Sequence, residues 1–374
     1  MAANKTYRQL PLRIMISGGG TGGHIYPAVS IAQSLKEMLS DVEILFVGAK
    51  GKMEMKKVPE AGFEIVGLWI SGLQRNLSLQ NLMFPFKVIS SVWRAFGLIR
   101  SFKPDAVIGV GGYASGPLLF AATRKGIPTL IQEQNSYAGL TNKLLAKHVT
   151  KICVAHGGME KYFPADKLVV TGNPVRKTIV LEESRKKEAY QFFNFSESKK
   201  TILIVGGSLG ARTINECILA GYEKLKASGY QVIWQTGGYY YKEMIARVDE
   251  QHADIKMYDF LREMNFAYAV ADVVISRAGA LSIAELMLTG KSSILVPSPN
   301  VAEDHQTINA MALVERRAAI LVKDSDAMDT MIDTAFSLIN DEEKKKSLSE
   351  NIKAMAHENA ATDIANEVIK LIAA

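Results

Sequence analysis

The chain has 374 residues, 44 basic against 38 acidic and 48% apolar. That is enough for two folded domains of about 150 residues or more, and it excludes disorder and fibrous repeats. The formal charge of +6 is modest and spread out, favouring phosphates or anionic surfaces over nucleic acid, since no basic stripe with interleaved aromatics appears.

Cys153 and Cys217 form no CxxC pair and read as buried thiols of a reducing compartment. The opening MAANKTYRQLPLR lacks an apolar core of signal-peptide length, and no run reaches about 18 uninterrupted apolar residues. The expectation is a cytoplasmic chain without a spanning helix.

In chain order, Leu12 to Ile16 predicts a strand, Gly18 to Gly23 a glycine turn, and Tyr26 to Leu39 a helix with Val29, Ile31, Ala32, Leu35 and Leu39 at helical spacing. Further buried strands are predicted at Glu43 to Val47, Phe63 to Leu68, Ala106 to Val110, Pro128 to Ile131, Lys151 to Ala155 and Leu168 to Thr171. Short Ile and Val runs separated by helical segments imply a parallel sheet covered on both faces. Between the third and fourth strands, Phe86, Ile89, Val92, Trp93, Phe96 and Ile99 share one helical face, with Lys87 and Arg94 pointing away. That face either packs on the sheet or, with Leu79 and Leu82 before it, forms an interfacial patch of apolar and basic residues suited to anionic lipid.

After GNPVR at Gly172 to Arg176 comes a charged linker with a short helix, and the pattern restarts. Thr201 to Val205 predicts a strand, Gly206 to Arg212 a glycine turn, and Thr213 to Ala227 a helix. Later strands are predicted at Gln231 to Gln235, Ile255 to Tyr258, Ala271 to Ile275, Ser293 to Val296 and Ala319 to Val322. The fold class is therefore α/β, with two Rossmann-like doubly wound domains and a cleft between them as the natural ligand site.

The glycine loops GGGTGGH, GGYASG and GGSLGAR carry the chemistry. Glycine allows positive φ and close backbone approach, and a helix N-terminus behind each loop offers N–H groups to an anion. His24 stands at the first helix start, and Ser208 and Arg212 add a hydroxyl and a cation to the third loop. None is a Walker A loop, and no acid closes the next strand as a dinucleotide fingerprint requires. In SRAGALSIAE, Glu285 stands inside a helix starting near Gly279, placed to accept two vicinal sugar hydroxyls or simply solvated. Asp304, His305, Gln306 and Asn309 crowd a helix entered through VPSPNVAE, which suits a ligand loop.

GGGTGGH, GGYASGP, QEQN with AGLTNK, GNPVR, GGSLGAR, SRAGALSIAE and HQTINA stand in an order and spacing that resembles the bacterial cell-wall glycosyltransferases that form lipid II. The resemblance runs from about Arg13 to the C-terminus. It implies the GT-B arrangement: residues 1–175 forming the acceptor and membrane-associating domain, residues 176–353 binding the UDP-sugar, and a helix over 354–374 crossing back to the first domain. On the donor side it implies Ser208 by the diphosphate, Glu285 on the ribose, and the Leu261 backbone reading uracil. Arg277, Gly279, Ala280 and Leu281 then line the nucleotide loop, His305 and Gln306 face the sugar or phosphates, and Arg176 lies close to the donor. On the acceptor side it implies Thr21, Gly22, Gly23, His24 and Tyr113 near the chemistry, with Glu133 and Asn135 across the cleft. Leu79, Leu82, Phe86 and Trp93 match the family's membrane-docking surface.

Three positions depart from the family pattern: Gln132 replaces a histidine, Leu209 a glutamine, and His305 the first of paired glutamines. The implied reaction is inverting transfer of N-acetylglucosamine from UDP-N-acetylglucosamine to the 4-hydroxyl of the muramyl sugar of undecaprenyl-linked lipid I, giving lipid II and UDP. The implied location is the anionic cytoplasmic face of the membrane. His24 is the candidate base, since imidazole titrates near neutrality and a helix start favours its neutral form; Glu133 is the rival. The leaving UDP is neutralised by loop amides, a helix terminus and Arg176, without a metal or other cofactor. The DxD at Asp324 to Asp326 reads as a turn and helix cap. Two alternatives share the loops: a UDP-sugar 2-epimerase, which needs more acids and histidines at the sugar, and a non-enzymatic nucleotide-binding regulator, which would tolerate loss of His24 and Glu133.

Overall fold

The β-branched runs between the glycine turns form two parallel sheets, each covered by helices on both faces. The computed structural model describes residues 11–72, 83–207, 209–248 and 252–373. Ser208, Leu79 and Leu82 lie outside the described residues. The chain divides into two compact units, Met1–Val175 with Asn359–Ala374, and Arg176–Glu358.

In the first unit the strands are β1 (Leu12–Ser17), β2 (Val42–Ala49), β3 (Glu64–Leu68), β4 (Ala106–Gly109), β5 (Thr129–Glu133), β6 (Lys151–Val154) and β7 (Leu168–Val170), in the order β3-β2-β1-β4-β5-β6-β7. The helices are α1 (Gly22–Met38), α2 (Glu54–Glu60), α3 (Phe84–Phe102), α4 (Ser115–Arg124) and α5 (Leu140–Leu145). Side chains alternate along β1: Ile14 and Ile16 enter a cluster with Ile25, Ala28 and Leu35 of α1, while Met15 enters the opposite cluster with Ala95 and Leu98 of α3 and Leu118 of α4. Both faces being apolar is why the strand reads as a continuous hydrophobic run.

The second unit repeats the plan with β8 (Thr201–Val205), β9 (Gln231–Gln235), β10 (Ile255–Tyr258), β11 (Val273–Ser276), β12 (Ser293–Leu295) and β13 (Ile320–Leu321), in the order β10-β9-β8-β11-β12-β13. Its helices are α6 (Lys186–Phe193), α7 (Arg212–Ala220), α8 (Tyr222–Ala227), α9 (Tyr241–Ala246), α10 (Met264–Val270), α11 (Ala280–Thr289), α12 (His305–Val314), α13 (Ala327–Asn340) and α14 (Glu342–Lys353). Trp234 on β9 is fully buried and donates its Nε1–H to Asn215 Oδ1 of α7 at 3.0 Å, so its one polar atom is satisfied inside the core.

The last helix, α15 (Ala360–Ala373), lies against α1 and buries Ile364, Ala365 and Val368 in the cluster below β1. Burial of Ile364 and Val368 contributes about 2 kcal/mol each. The two parallel-sheet domains with a C-terminal helix match the expected α/β class. Two local expectations are corrected, and a third point, left open between packing and exposure, divides between the two. The single helix expected over 213–227 breaks at Gly221, against which Ile332 of α13 packs where a Cβ would stand. The last helix begins at Ala360, after a separate helix ends at Lys353. The apolar face expected on α3 divides: Ile99 is buried, but Phe86, Ile89 and Trp93 are 63%, 56% and 76% exposed, because the stripe facing the sheet contains Ser91, Ala95, Leu98 and Ile99.

Candidate functional site

In each sheet, successive strands first add on one side and then on the other, and the strand order reverses at one place: between β1 and β4 in the first unit, between β8 and β11 in the second. Ligands of open parallel sheets bind beyond the strand ends at such a switch point. The glycine loops after β1 and β4, and those after β8 and β11, lie at these two places. Ser17 pairs in register with both Val47 and Gly109, so β1, β2 and β4 end side by side. Val110 N–H and the Ser115 hydroxyl donate to the Ser17 carbonyl at 2.7 and 3.0 Å, and the Ser115 hydroxyl also reaches the Gly111 carbonyl at 2.7 Å. These bonds join the first two glycine loops.

Helix α1 starts immediately after the first loop, and the side chain of its N-cap residue Thr21 makes no capping hydrogen bond. The N–H groups of Gly22 and Gly23 belong to the first turn, which has no intrahelical acceptors, so this end of α1 offers donors to an anion. His24 Nδ1 lies 3.0 Å from the Gly19 carbonyl and 3.3 Å from Thr21 Oγ1. A carbonyl only accepts, so Nδ1 carries the proton and, in the neutral ring, Nε2 carries the lone pair. The ring lies against Gly111, where an added Cβ would stand 2.8 Å from Nε2. Tyr113 is half exposed; its ring packs on Gly72 and stands 4.0 Å from where a Cβ on Gly20 would lie.

Glu133 is 2% exposed and ends β5. Its Oε1 accepts from Asn135 N and Nδ2 at 3.1 and 3.2 Å, and its Oε2 from Gly139 N and Asn142 Nδ2 at 2.9 Å each. The carboxylate therefore holds the loop over 134–139 closed, with Asn135 beside it as one of its donors; taking up a proton would sacrifice one of these bonds. Neither Asn142 nor Gly139 was singled out from sequence, although AGLTNK contains both. Gln132 is fully buried and accepts from Gln134 Nε2, while its own Nε2 has no partner among the described residues.

In the second unit, α11 begins after Gly279 and presents the first-turn residues Ala280 and Leu281 at the end of β11. Glu285, one turn further, is 7% exposed and accepts the Tyr268 hydroxyl at 3.0 Å on Oε2. Burial pushes its carboxyl up to about 7, opposed by the Arg176 cation and the Tyr268 hydrogen bond. Burial and the neighbouring Glu285 likewise raise the Tyr268 phenol. Arg176, exposed at the start of this unit, is thus within electrostatic range of Glu285. Tyr268 was not found from sequence, because it lies in an unremarkable apolar helix.

Leu261 is buried and its N–H donates to Gln235 Oε1 at 3.2 Å, a contact that a base reading this amide would replace. The Arg277 side chain donates to the Val296 and Pro297 carbonyls at 3.0 and 3.2 Å and pairs with Asp324. Asp324 also accepts the Thr213 hydroxyl at 2.9 Å, so the first acid of the DxD is an internal tie, while Asp326 stands at the N-cap of α13 without capping it through its side chain. Among the described residues no group of three His, Cys, Asp or Glu converges as metal ligands would. His305 opens α12 behind Glu303 and Asp304, both at positive φ (55 and 50°), a conformation costing roughly 1–3 kcal/mol per residue. Gln306 Oε1 accepts Ser298 N–H at 2.9 Å, drawing the strand-exit loop onto this strained helix start.

Two family models match the chain: the glycosyltransferase family 28 N-terminal domain over residues 14–154 and the family 28 C-terminal domain over residues 201–368. The chain is 56% identical over 364 residues to the UDP-N-acetylglucosamine–N-acetylmuramyl-(pentapeptide) pyrophosphoryl-undecaprenol N-acetylglucosamine transferase of Cytophaga hutchinsonii, covering 97% of this chain and 98% of the relative. The protein of the same name from Parabacteroides distasonis is 54% identical over 361 residues, with 96% and 98% covered. The crystal structure of Acinetobacter baumannii MurG superposes with a TM-score of 0.76 at 28% identity, covering 96% of this chain and 100% of that one. The UDP-GlcNAc 2-epimerase of Neisseria meningitidis, at 16% identity and a TM-score of 0.67 over 96% of this chain and 100% of its own, shares the fold alone.

Proposed function

Because the chain belongs to glycosyltransferase family 28, we propose that its four loop ends divide one group transfer between a donor set in the second unit and an acceptor set in the first. The chain is a hexosyltransferase of peptidoglycan synthesis that transfers N-acetylglucosamine from UDP-N-acetylglucosamine to lipid I, forming lipid II. The acceptor diphosphate rests on the open N-terminus of α1, against Thr21, Gly22 and Gly23, with Tyr113 beside it. His24 Nε2 takes the proton of the muramyl 4-hydroxyl as that oxygen attacks the anomeric carbon. The bond from this carbon to the UDP oxygen breaks with inversion, and its electron pair leaves on UDP.

On the donor side Glu285 accepts the ribose hydroxyls through the oxygen that Tyr268 leaves available. The first-turn amides of α11 and the Arg176 cation take up charge on the departing diphosphate. Leu261 receives the uracil, and His305 and Gln306 face the sugar. Glu133 serves as the brace of the 134–139 loop, and the base role falls to His24. The observation that supports this assignment is the contact from His24 Nδ1 to the Gly19 carbonyl, which leaves Nε2 as the basic ring nitrogen at the start of α1.

The membrane is met through α3. Phe86, Ile89 and Trp93 are exposed on one face, and the helix contains Lys87, Arg94 and Arg100 but no acid. Lys87 Nζ stands 5.9 Å from the half-exposed Trp69 ring. Apolar anchors rimmed by cations fit the anionic cytoplasmic leaflet, where the undecaprenyl chain of the acceptor resides. Among the described residues no helix is long and apolar enough to cross a membrane.

The test is UDP release from UDP-N-acetylglucosamine with and without a lipid-linked muramyl-pentapeptide diphosphate, in the presence of a metal chelator. Acceptor-dependent release together with a disaccharide product is the expected result. Release independent of the acceptor, or none after metal is restored, would overturn the reading.

A further inference from the structure

The first glycine loop is held from beneath by a carboxylate that has no part in the reaction as described. Glu54 opens α2, is 1% exposed, and is the lone acid in the lysine-rich stretch AKGKMEMKK. Its Oε2 accepts the Gly20 N–H at 2.9 Å and its Oε1 the Ala49 N–H at 3.0 Å. One carboxylate thus ties the end of β2 to the turn of the loop. The loop is shaped around it: a Cβ on Gly48 would stand 2.6 Å from Glu54 Cγ, and one on Gly19 would overlap the carboxylate itself.

The Gly20 N–H and the Gly19 C=O belong to the same peptide group, and in a planar trans peptide they point in opposite directions. Glu54 accepts from one end of that group, and His24 Nδ1 meets the other. A carboxylate held on the N–H fixes the peptide plane, and hence where the carbonyl oxygen stands. It also polarises the carbonyl towards a stronger acceptor, since hydrogen bonds in a chain reinforce one another.

We propose that Glu54 is a positioning residue for His24, acting through the Gly19–Gly20 peptide to hold the ring in its Nδ1–H tautomer with Nε2 presented to the acceptor hydroxyl. The inference rests on the reading of His24 as the base. It assigns to Glu54, across a peptide bond, the task that a carboxylate performs directly in other base-orienting pairs.

The test is a double-mutant cycle on the full chain with Glu54→Gln and His24→Ala. Glutamine keeps the shape but has only one acceptor oxygen for two N–H donors, so one amide faces its NH2 group. Glu54→Gln alone should lower kcat about tenfold and displace the kcat pH profile, with donor KM within twofold of the parent. In the His24→Ala background it should change kcat by less than twofold, because the group it orients is gone. Gly48→Ala, which pushes on Glu54 Cγ without removing the carboxylate, should reproduce the kcat loss and carries the test if Glu54→Gln is poorly folded. A kcat within twofold of the parent in a folded Glu54→Gln protein, an equal loss with and without His24, or failure of both variants to fold would overturn the assignment. Full kcat in His24→Ala alone would instead sink the base reading, and the positioning role with it.

Discussion

His24 and Gly111 are fitted to one another across the first two glycine loops: a Cβ on Gly111 would lie 2.6 Å from His24 Cδ2 and 2.8 Å from Nε2, and Gly111 itself is at φ +90°. Gly111→Ala therefore strains the backbone and pushes the imidazole at once. The expected outcome is a loss of about 1–3 kcal/mol in unfolding free energy and at least a tenfold fall in kcat. Denaturant unfolding and turnover on the same preparation check it; a stable variant with parental turnover would show that the ring position is unimportant.

His24→Ala removes the proposed base while leaving the donor unit untouched. Turnover should fall by about two orders of magnitude or more, in line with the usual contribution of a general base, with UDP-N-acetylglucosamine affinity little changed. Steady-state kinetics combined with donor binding by calorimetry separates the two effects. Nearly unchanged turnover would move the base elsewhere.

Glu285 gives donor binding a pH dependence with a definite sign. Its carboxyl is raised from 4.5 to about 7 by burial, and ribose hydroxyls donate to the ionised form. Donor KM should therefore fall as pH rises through about 7, by roughly tenfold between pH 6 and pH 8 if ionisation controls binding. Glu285→Gln should bind donor more weakly and with a flat profile over that range. The same titration acts on stability in the opposite sense: the unfolded carboxyl ionises near 4.5 and the folded one near 7, so the folded state loses stability as pH rises between these values, and the Gln variant should not. A donor KM independent of pH in the parent would remove Glu285 from the ribose.

Trp93→Ser with Phe86→Ser strips two exposed anchors from α3 without touching the stripe that packs on the sheet. Each anchor contributes about 1.5–3 kcal/mol when buried in an interface. Co-sedimentation with vesicles containing anionic lipid should drop by at least tenfold, while turnover on a short-chain, detergent-soluble acceptor stays within twofold. Undiminished vesicle binding would place the docking surface elsewhere.

Much of this molecule is legible in its amino-acid order. Most strands are short apolar runs rich in Ile, Val and Leu, each followed by a glycine turn or a polar loop, so Leu12–Ser17 or Thr201–Val205 can be read directly. The glycine loops follow them immediately, and His24 and Glu285 declare themselves by standing just inside the helices that those loops open. The family follows from the same motifs, since their order and spacing are linear properties of the chain.

What was decided only in three dimensions is which side chain meets which. Periodicity gave α3 one apolar face, but the sheet takes the stripe through Ser91 and Ala95 and leaves Phe86 and Trp93 to solvent; an apolar stripe does not say which of its sides has a neighbour. The four hydrogen bonds that Glu133 accepts from Asn135, Gly139 and Asn142, and the pairing of Arg277 with Asp324, are contacts that no motif announces. Glu54 carried no motif at all, and only the folding of α2 beneath the first loop brings its carboxylate to the Gly20 amide. Strand and loop identity depend on local composition and steric freedom, which the chain carries residue by residue. The orientation of a catalytic group depends on contacts that exist only once the chain has folded, whether between near neighbours such as His24 and Gly19 or across the sequence as between Glu54 and Gly20.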